Sequence, residues 1–305
     1  MLPRLLFTGG SGLLAINLAL LLRQHFEVIS ILHSRVVSIN GVQATIVDLA
    51  NVDEVKKKFQ DLKPFAVIHA AGMTDVAECQ KNPSAAFHAN DFIAGNIAKA
   101  CCDLGIKMVH ISTDHIFDGQ SEMLVETTPP APLNVYAASK LAGEVSVAKN
   151  CKDALIVRTN FFGWGTCYRH SFSDFVFNNL RSERKIGLYS DIYFTPILIE
   201  RLCVLIMQLV RACETGIYHL TGDDRVSKFV FGVQLAKIFN LNQDLIRPIQ
   251  YFGEDTVLLP RPKDMSLSNN KATEFVGHRI GSVETFLLAL KSQRNTGVHK
   301  EIRAI

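Results

Sequence analysis

The stretch LLFTGGSGLLA, residues 5–15, decides the fold. Its apolar start predicts a strand over 5–7, and the apolar run from Leu13 predicts a helix, with three glycines in the turn between them. Glycines at this place in a first strand-to-helix unit let backbone N–H groups approach a pyrophosphate at the positive end of the helix. The stretch therefore predicts a nucleotide site, with an ordinary strand-to-helix turn as the alternative.

The uncharged run between Arg4 and Arg23 also has to be weighed as a membrane span. A span needs about 20 mostly apolar residues, whereas three glycines, a threonine, a serine and an asparagine interrupt this run. A strand, a tight turn and a buried helix explain the run better, so we expect no membrane partner.

The composition is typical of a soluble globular protein. Of the 305 residues, 48% are hydrophobic and 20% are charged, which argues against disorder. The net charge of +3 is too small to indicate a nucleic-acid partner. The seven cysteines form no C-x-x-C pair and no cluster with histidines at zinc-ligand spacing, which favours a reducing cytoplasm and gives no metal ligands.

Short apolar runs alternate with helical patterns through the first half of the chain. The strand candidates are 5–7, 28–32, 45–47, 66–68, 108–111 and 155–157, and the helix candidates are 13–24, 52–61, 84–104 and 136–150. Strands that are hydrophobic throughout and separated by helices imply a parallel sheet covered on both faces. The predicted class is therefore α/β, a Rossmann-like doubly wound parallel sheet.

The alternation weakens after Gly165, which predicts a smaller second domain. A helix within 169–186 would carry Phe172, Phe175 and Phe177 partly on one face, and an extended segment is expected within 188–196. A further strand is expected within 216–222 and a further helix over 226–240. We divide the chain into a dinucleotide-binding domain over 1–164, rejoined by about 196–222, a mainly substrate-binding domain over 165–291 and a polar, loosely held tail over 292–305.

The residues after the second predicted strand bear on the choice of cofactor. An NAD enzyme would be expected to offer an acidic residue to the ribose there, whereas this chain offers His33, Ser34 and Arg35. Arg35 with Ser34 could meet a 2′-phosphate, which favours NADP over NAD, and the alternative is a solvated basic loop. Asp48, after the third strand, is placed to meet the adenine edge or to cap a helix.

Two further motifs follow predicted strands. HAAGMTD, residues 69–75, has small residues that leave room for a flat ligand, although tight packing would use the same residues. STDHIFDG, residues 112–119, supplies hydroxyls where open α/β sheets bind ligands, outside the carboxyl ends of the strands. A helix cap or a turn is the alternative for the second motif.

Tyr136 and Lys140 lie four residues apart in VYAASK, so a helix puts them on one face. An ammonium beside a phenol is expected to lower the pKa of Tyr136 from its usual value of about 10. Such a phenol can pass a proton to a carbonyl oxygen as hydride reaches the carbon, and Thr113 could hydrogen-bond the same oxygen. An exposed helical pair is the alternative.

The motifs together resemble the extended short-chain dehydrogenase/reductases. They are TGGSGLLA, DL, HAAGMTDV, STDHIFDG, VYAASKLAGE and VRTNFFGWG, with GIYHLTGDDRVSKFVFGVQLA and RPKDMSLSN later in the chain. The branch that they most resemble is dTDP-4-dehydrorhamnose reductase, and the similarity runs from the first strand to about Asn270. The resemblance implies reduction of a keto group on a nucleotide-activated deoxysugar with NADPH, in polysaccharide biosynthesis. A nucleotide-sugar substrate and a homodimer are the partners it implies.

The resemblance also implies roles for individual residues. The catalytic residues would be Thr113, Tyr136 and Lys140. The cofactor would contact Gly9, Ser11, Gly12, Leu13, Leu14, Ser34, Arg35, Asp48, Leu49, Ala70, Ala71, Gly72, Thr74, Tyr136, Lys140, Asn160 and Phe161. The substrate would contact Asp114, His115, Phe117, Trp164, Thr195 and Arg261.

Two departures from the family pattern leave other functions open. His115 stands where a tyrosine is common, and TNFFGWG does not match the usual TSW stretch, so the sugar stays unassigned. A nucleotide-sugar epimerase is one alternative, although the missing acidic residue after the second strand argues against tightly held NAD. The other is a non-catalytic NADP-binding regulatory subunit, similar to the β subunit of methionine adenosyltransferase.

Overall fold

A seven-stranded parallel sheet organises the chain in the computed structural model, which describes residues 2–251 and 260–305. Its strands are β1 (Arg4–Thr8), β2 (Glu27–Leu32), β3 (Val42–Ile46), β4 (Ala66–His69), β5 (Lys107–Ile111), β6 (Leu155–Arg158) and β11 (Gly216–His219). Their spatial order is β3-β2-β1-β4-β5-β6-β11, and every neighbouring pair is parallel. The order reverses direction between β1 and β4, which is where open α/β sheets bind ligands. The predicted fold class is confirmed.

Helices cover both faces of this sheet. They are α1 (Leu13–Leu22), α2 (Val52–Leu62), α5 (Ile93–Leu104), α6 (Val135–Asn150) and α8 (Ile199–Arg211), while α3 (Val76–Lys81) and α4 (Pro83–Phe87) pack against α6. Strand β1 shows why two covers are needed, because Leu5 and Phe7 belong to one hydrophobic cluster and Leu6 to another. All three are fully buried, which explains the unbroken apolar run in the sequence.

The remaining strands and α-helices lie beyond residue 160. They are β7 (Phe161–Phe162), α7 (Phe172–Arg181), β8 (Ile186–Tyr189), β9 (Tyr193–Phe194), β10 (Ile197–Leu198), β12 (Val226–Ser227), α9 (Lys228–Phe239), β13 (Ile246–Ile249), α10 (Asn270–Val276), α11 (Val283–Asn295) and α12 (Val298–Ala304). Four of the short strands pair as β10 with β7 and β12 with β9, and β13 pairs with β8. The extended segment expected within 188–196 is thus split between two strands. On α7, Phe177 is buried but Phe175 is 46% exposed, so the expected shared face is wrong for Phe175.

The helix predicted over 84–104 is interrupted. A π-helical turn at His88–Phe92 separates α4 from α5. Turns of this kind are frequent at functional sites.

The expectation of a loosely held tail over 292–305 is wrong. Helix α11 continues to Asn295, and α12 buries Ile302 to 1% exposure. The polar residues of α12 form ion pairs, since Arg23 at the end of α1 donates to Glu301 at 3.0 Å and Arg303 donates to Asp174 at 3.0 Å. Apolar burial and pairing together hold this segment to the rest of the fold.

No helix within the described ranges 2–251 and 260–305 is long and apolar enough to cross a membrane. The uncharged run between Arg4 and Arg23 is divided into β1, the glycine turn and α1, as expected.

Candidate active site

The turn after β1 has the form of a phosphate cradle. Gly9 has a φ of +69°, and a Cβ atom added to it would lie 2.7 Å from the backbone nitrogen of Ala71. A side chain at this position is therefore excluded both by backbone conformation and by the loop after β4. Helix α1 begins after Gly12 with no side-chain cap and no acidic residue in its first turn. The N–H groups of Leu13 and Leu14 are thus left to an anion, and this donor set fits a pyrophosphate.

The residues after β2 and β3 lie at the same edge of the sheet. Ser34 and Arg35 are exposed, and the Arg35 guanidinium lies 4.1 Å above the ring of Tyr168. Asp48 is also exposed and accepts a hydrogen bond from Ala50 at 3.0 Å, so it does not cap α2. Asn51 caps that helix instead.

Leu49 is half-buried beside Asp48, and its carbonyl accepts from the Asn96 side chain at 3.2 Å. The contact of Asp48 and Leu49 with an adenine stays a prediction.

Asn90 holds the loop after β4 and was missed in the sequence. Its Oδ1 accepts from the backbone nitrogen of Met73 at 2.8 Å, and its Nδ2 donates to Met73 O and to Ser139 Oγ, both at 2.9 Å. A Cβ atom at Gly72 would lie 2.5 Å from the same Oδ1, which explains that glycine. The loop with Ala70 and Ala71 is thereby tied to α6. The sequence carried no distinct signal for Asn90, because the π-helical turn that aims its side chain was predicted as regular helix.

Thr113 and Tyr136 come together as predicted from separate elements. Thr113 follows β5 and Tyr136 lies in the first turn of α6, whose N-cap Asn134 accepts from the backbone nitrogen of Ala137 at 2.9 Å. The Thr113 hydroxyl lies close enough to the Tyr136 phenol to act on its pKa. Both residues are less than a tenth exposed, with Tyr136 at 9%.

The expected lowering of the pKa of Tyr136 is wrong. Burial disfavours the phenolate and raises the pKa of Tyr136 to about 12, and the neighbouring Thr113 hydroxyl only partly opposes this effect. Lys140 lies one turn further along α6, but its ammonium donates to the backbone oxygen of Ile111 at 2.7 Å. Burial also lowers the pKa of Lys140 to about 8, against the opposing effect of Glu144. Tyr136 is thus a neutral phenol near neutral pH, which is the form that can donate a proton.

A buried ion pair supports the helix that carries Tyr136. Arg158 at the end of β6 donates to Glu144 on α6 at 2.7 Å and 3.0 Å, and Ser112 donates to the same carboxylate at 2.5 Å. The side chains of Arg158 and Glu144 are only 3% and 4% exposed. The pair ties β6 and the residue before Thr113 to the helix that carries Tyr136. It was missed in the sequence, where neither residue stands out.

Asp114 and Asn160 interact directly. Asp114 is fully buried and accepts from Asn160 Nδ2 at 2.6 Å and from Thr113 at 3.2 Å. This carboxylate therefore orients two predicted site residues. Phe161, next in the chain, is half-buried in the short strand β7.

Three residues expected to contact the substrate lie in the core, which corrects the expectation for them. Trp164 is fully buried, and its indole nitrogen donates to Leu290 O at 3.1 Å. Phe117 is 1% exposed and packs edge-on against the His219 ring. Thr195 is also fully buried, and its hydroxyl accepts from the backbone nitrogen of Leu267 at 3.1 Å.

His115 lies beside Tyr136, and its contact with a substrate stays a prediction. Its ring lies edge-on to the Tyr136 ring, with 5.8 Å between the centroids. Burial lowers the pKa of His115, and the nearby charges of Lys228 and Arg261 act in the same direction. Arg261 is exposed, while Lys228, another residue missed in the sequence, has its ammonium 3.3 Å from the Phe194 ring centroid. The part of the chain beyond residue 165 thus contributes two cations to this side of the site.

The fold and the site together define a class of protein. A phosphate cradle lies at the switch point of a doubly wound sheet, opposite the adjacent Thr113 and Tyr136 and a lysine one turn further on. This is the arrangement of an NAD(P)-dependent oxidoreductase of the short-chain dehydrogenase/reductase type. The chain belongs to the RmlD substrate binding domain family, whose model matches residues 3–291.

The proteins similar to this chain include two reductases and a subunit of another enzyme. The chain is 30% identical to the "Probable low-salt glycan biosynthesis reductase Agl14" of Haloferax volcanii, over 78% of this chain and 81% of that protein. It is 29% identical to the methionine adenosyltransferase 2 subunit beta of Xenopus laevis, over 80% of this chain and 77% of that protein. The crystal structure of dTDP-4-dehydrorhamnose reductase from Bacillus anthracis in complex with NADP has a TM-score of 0.84 and 26% identity, covering 96% of this chain and 100% of that one.

Proposed function

We propose that the protein uses NADPH to reduce a keto group on a nucleotide-activated 4-keto-6-deoxysugar. The observation that carries this proposal is that Thr113 and Tyr136, both buried, lie together at the sheet edge that also holds the phosphate cradle. A proton donor and a dinucleotide site at one edge suit carbonyl reduction.

The chain's own residues would act on the carbonyl oxygen. NADPH, when bound, supplies the hydride to the carbonyl carbon. As negative charge develops on the oxygen, Tyr136 donates its phenolic proton and Thr113 hydrogen-bonds the same atom. Because burial raises the pKa of Tyr136 to about 12, the phenol holds its proton until that charge develops.

Lys140 and Asn160 would position the cofactor and the reacting groups. Lys140 lies on the Tyr136 face of α6 and is held at Ile111, from where its ammonium can meet the nicotinamide ribose. Asn160 is held by the buried carboxylate of Asp114 and would border the nicotinamide end. His115 and Arg261 are the residues that we assign to the sugar and the nucleotide, and Lys228 lies beside them.

The experiment is a substrate panel with the purified protein. NADPH oxidation is followed by absorbance with 4-keto-6-deoxy nucleotide sugars that differ in base and sugar, and we expect turnover with at least one of them. Tyr136→Phe is the control, because it keeps the ring and removes the proton. Turnover should fall about 10²–10⁴-fold, while NADPH affinity stays within about twofold because the substitution removes only a hydroxyl. Unchanged turnover in Tyr136→Phe would remove the proposed proton donor.

A regulatory role is the second candidate, and the similarity to the Xenopus laevis subunit beta is the observation that favours it. A retained Thr–Tyr–Lys set does not by itself require turnover. NADPH binding without turnover across the whole panel would support the regulatory role over the reductase. An epimerase would instead convert a nucleotide sugar without net NADPH oxidation, which product analysis in the same panel would detect.

We further propose that the protein is cytoplasmic, forms a homodimer and acts in polysaccharide synthesis. All seven cysteines are free thiols, which suits a reducing compartment. The Haloferax volcanii relative, a glycan biosynthesis reductase by name, supports the biosynthetic role. Gel filtration with light scattering would test the dimer.

A further inference from the structure

A segment from the second domain bridges two sides of the cofactor cleft. The Tyr168 hydroxyl donates to the backbone oxygen of Ser11 in the phosphate turn at 2.8 Å. The next residue, Arg169, donates through Nη2 to Thr74 Oγ1 in the loop after β4. Residues 166–170 therefore connect the ends of β1 and β4, the two strands that flank the switch point.

The same tyrosine carries Arg35 on its ring. The guanidinium lies 4.1 Å from the ring centroid of Tyr168, within the range of a cation–π contact. Within 2–251 and 260–305, no carboxylate lies close enough to form an ion pair with Arg35. The ring thus fixes the direction of the guanidinium while its charge and its donors stay available to an anion.

The position of Arg35 matters because NADPH and NADH differ only at the ribose 2′ position. An arginine just after β2 can reach that position. A guanidinium that rotates freely loses more rotamer entropy when it binds a phosphate than a guanidinium that already packs on an aromatic ring. We propose that Tyr168 is a positioning residue for Arg35 and thereby sets the preference of the protein for NADPH over NADH. This inference rests on the cofactor site of the proposed function. It adds Tyr168, which lies outside residues 1–164, as a residue that sets the preference between the two nucleotides.

The test compares dissociation constants of NADPH and NADH, measured by calorimetry without substrate. Tyr168→Leu removes the ring, and we expect NADPH affinity to fall about fivefold relative to NADH, as for the loss of one cation–π contact. Tyr168→Phe keeps the ring and loses only the bond to Ser11, so the NADPH/NADH ratio should stay within about twofold of the wild type. His170→Ala, an exposed position on the same segment, is the matched control and should leave the ratio unchanged.

A double-mutant cycle separates positioning from general loosening of the segment. In an Arg35→Ala background, Tyr168→Leu should no longer change the ratio, since no guanidinium is left to hold. An equal loss of affinity for both nucleotides in Tyr168→Leu would overturn the proposal, and so would a wild type that binds both equally. These dissociation constants are measured without turnover. If the protein reduced no sugar, the proposed reductase function would fail, but the ratio of the NADPH and NADH dissociation constants would still test the role of Tyr168.

Discussion

Replacing Glu144 with glutamine should both destabilise the fold and change the pH profile of the reaction. The substitution keeps the shape of the side chain but leaves the Arg158 guanidinium, 3% exposed, without its charged partner. The pair has contacts at 2.7 Å and 3.0 Å, so the loss includes charge-assisted hydrogen bonds. Breaking a buried pair on one side costs about 3–5 kcal/mol, and we expect a loss of this size for Glu144→Gln.

The same carboxylate acts on Lys140 one turn away. It raises the pKa of Lys140 against the stronger effect of burial, which brings that pKa to about 8. Without the Glu144 charge the pKa of Lys140 should fall further. Lys140 would then lose its proton at lower pH, so the alkaline limb of the turnover profile should move down the pH scale.

Two assays check these expectations. Urea unfolding at neutral pH measures the stability loss, with the double variant Glu144→Met, Arg158→Met as a control that removes both charges and should cost less than Glu144→Gln. Turnover against pH measures the shift of the alkaline limb. A loss under about 1 kcal/mol, the range of exposed pairs, would refute the reasoning for stability, and an unmoved alkaline limb would refute the link to Lys140.

Three further predictions concern other parts of the molecule. Burial lowers the pKa of His69 to about 3, so the folded state binds fewer protons than the unfolded state between that value and about 6.5. Neutral His69 makes its full contribution to the free energy of unfolding above about pH 6.5, and about 2 kcal/mol of that contribution should be lost on acidification to about pH 5. Urea unfolding at both pH values would show this loss. An equal free energy of unfolding at the two pH values would contradict it. Ile302→Ala should lower the free energy of unfolding by about 2–5 kcal/mol because the side chain is 1% exposed. An unchanged free energy of unfolding in the same assay would show that residues 292–305 are loosely held after all. Trp164→Phe should lower the stability of the fold but leave the KM for the sugar within about twofold, because the indole is buried and its N–H donates to the backbone of Leu290. A large rise in KM would show that Trp164 contacts the substrate after all.

The sheet was predictable from local patterns, and so was the meeting of Thr113, Tyr136 and Lys140 at one edge of it. Their catalytic roles stay a prediction. Strands such as β1 are buried on both faces, so their apolar runs stand out in the sequence. Tyr136 and Lys140 are on one helix, where spacing alone fixes a shared face. Thr113 could be added because the carboxyl ends of parallel strands meet at one edge.

The errors have a different physical origin. Aromatic residues near a motif do not reveal which side they face. Trp164 was therefore assigned to the substrate, although its partners Phe239 and Leu290 come from distant parts of the chain. The raised pKa of Tyr136 depends on burial, which helical spacing with Lys140 does not report. The last helix did carry a signal, since Val298 and Ile302 are four residues apart among polar neighbours.

The ion pair of Arg23 with Glu301 joins residues 278 positions apart in the sequence. Helix α1, which presents the phosphate turn, is therefore tied at its far end only after a further 278 residues have been synthesised. The nucleotide site should consequently mature late during biosynthesis, and a nascent chain stalled before Val298 should bind NADPH more weakly than one that includes Glu301.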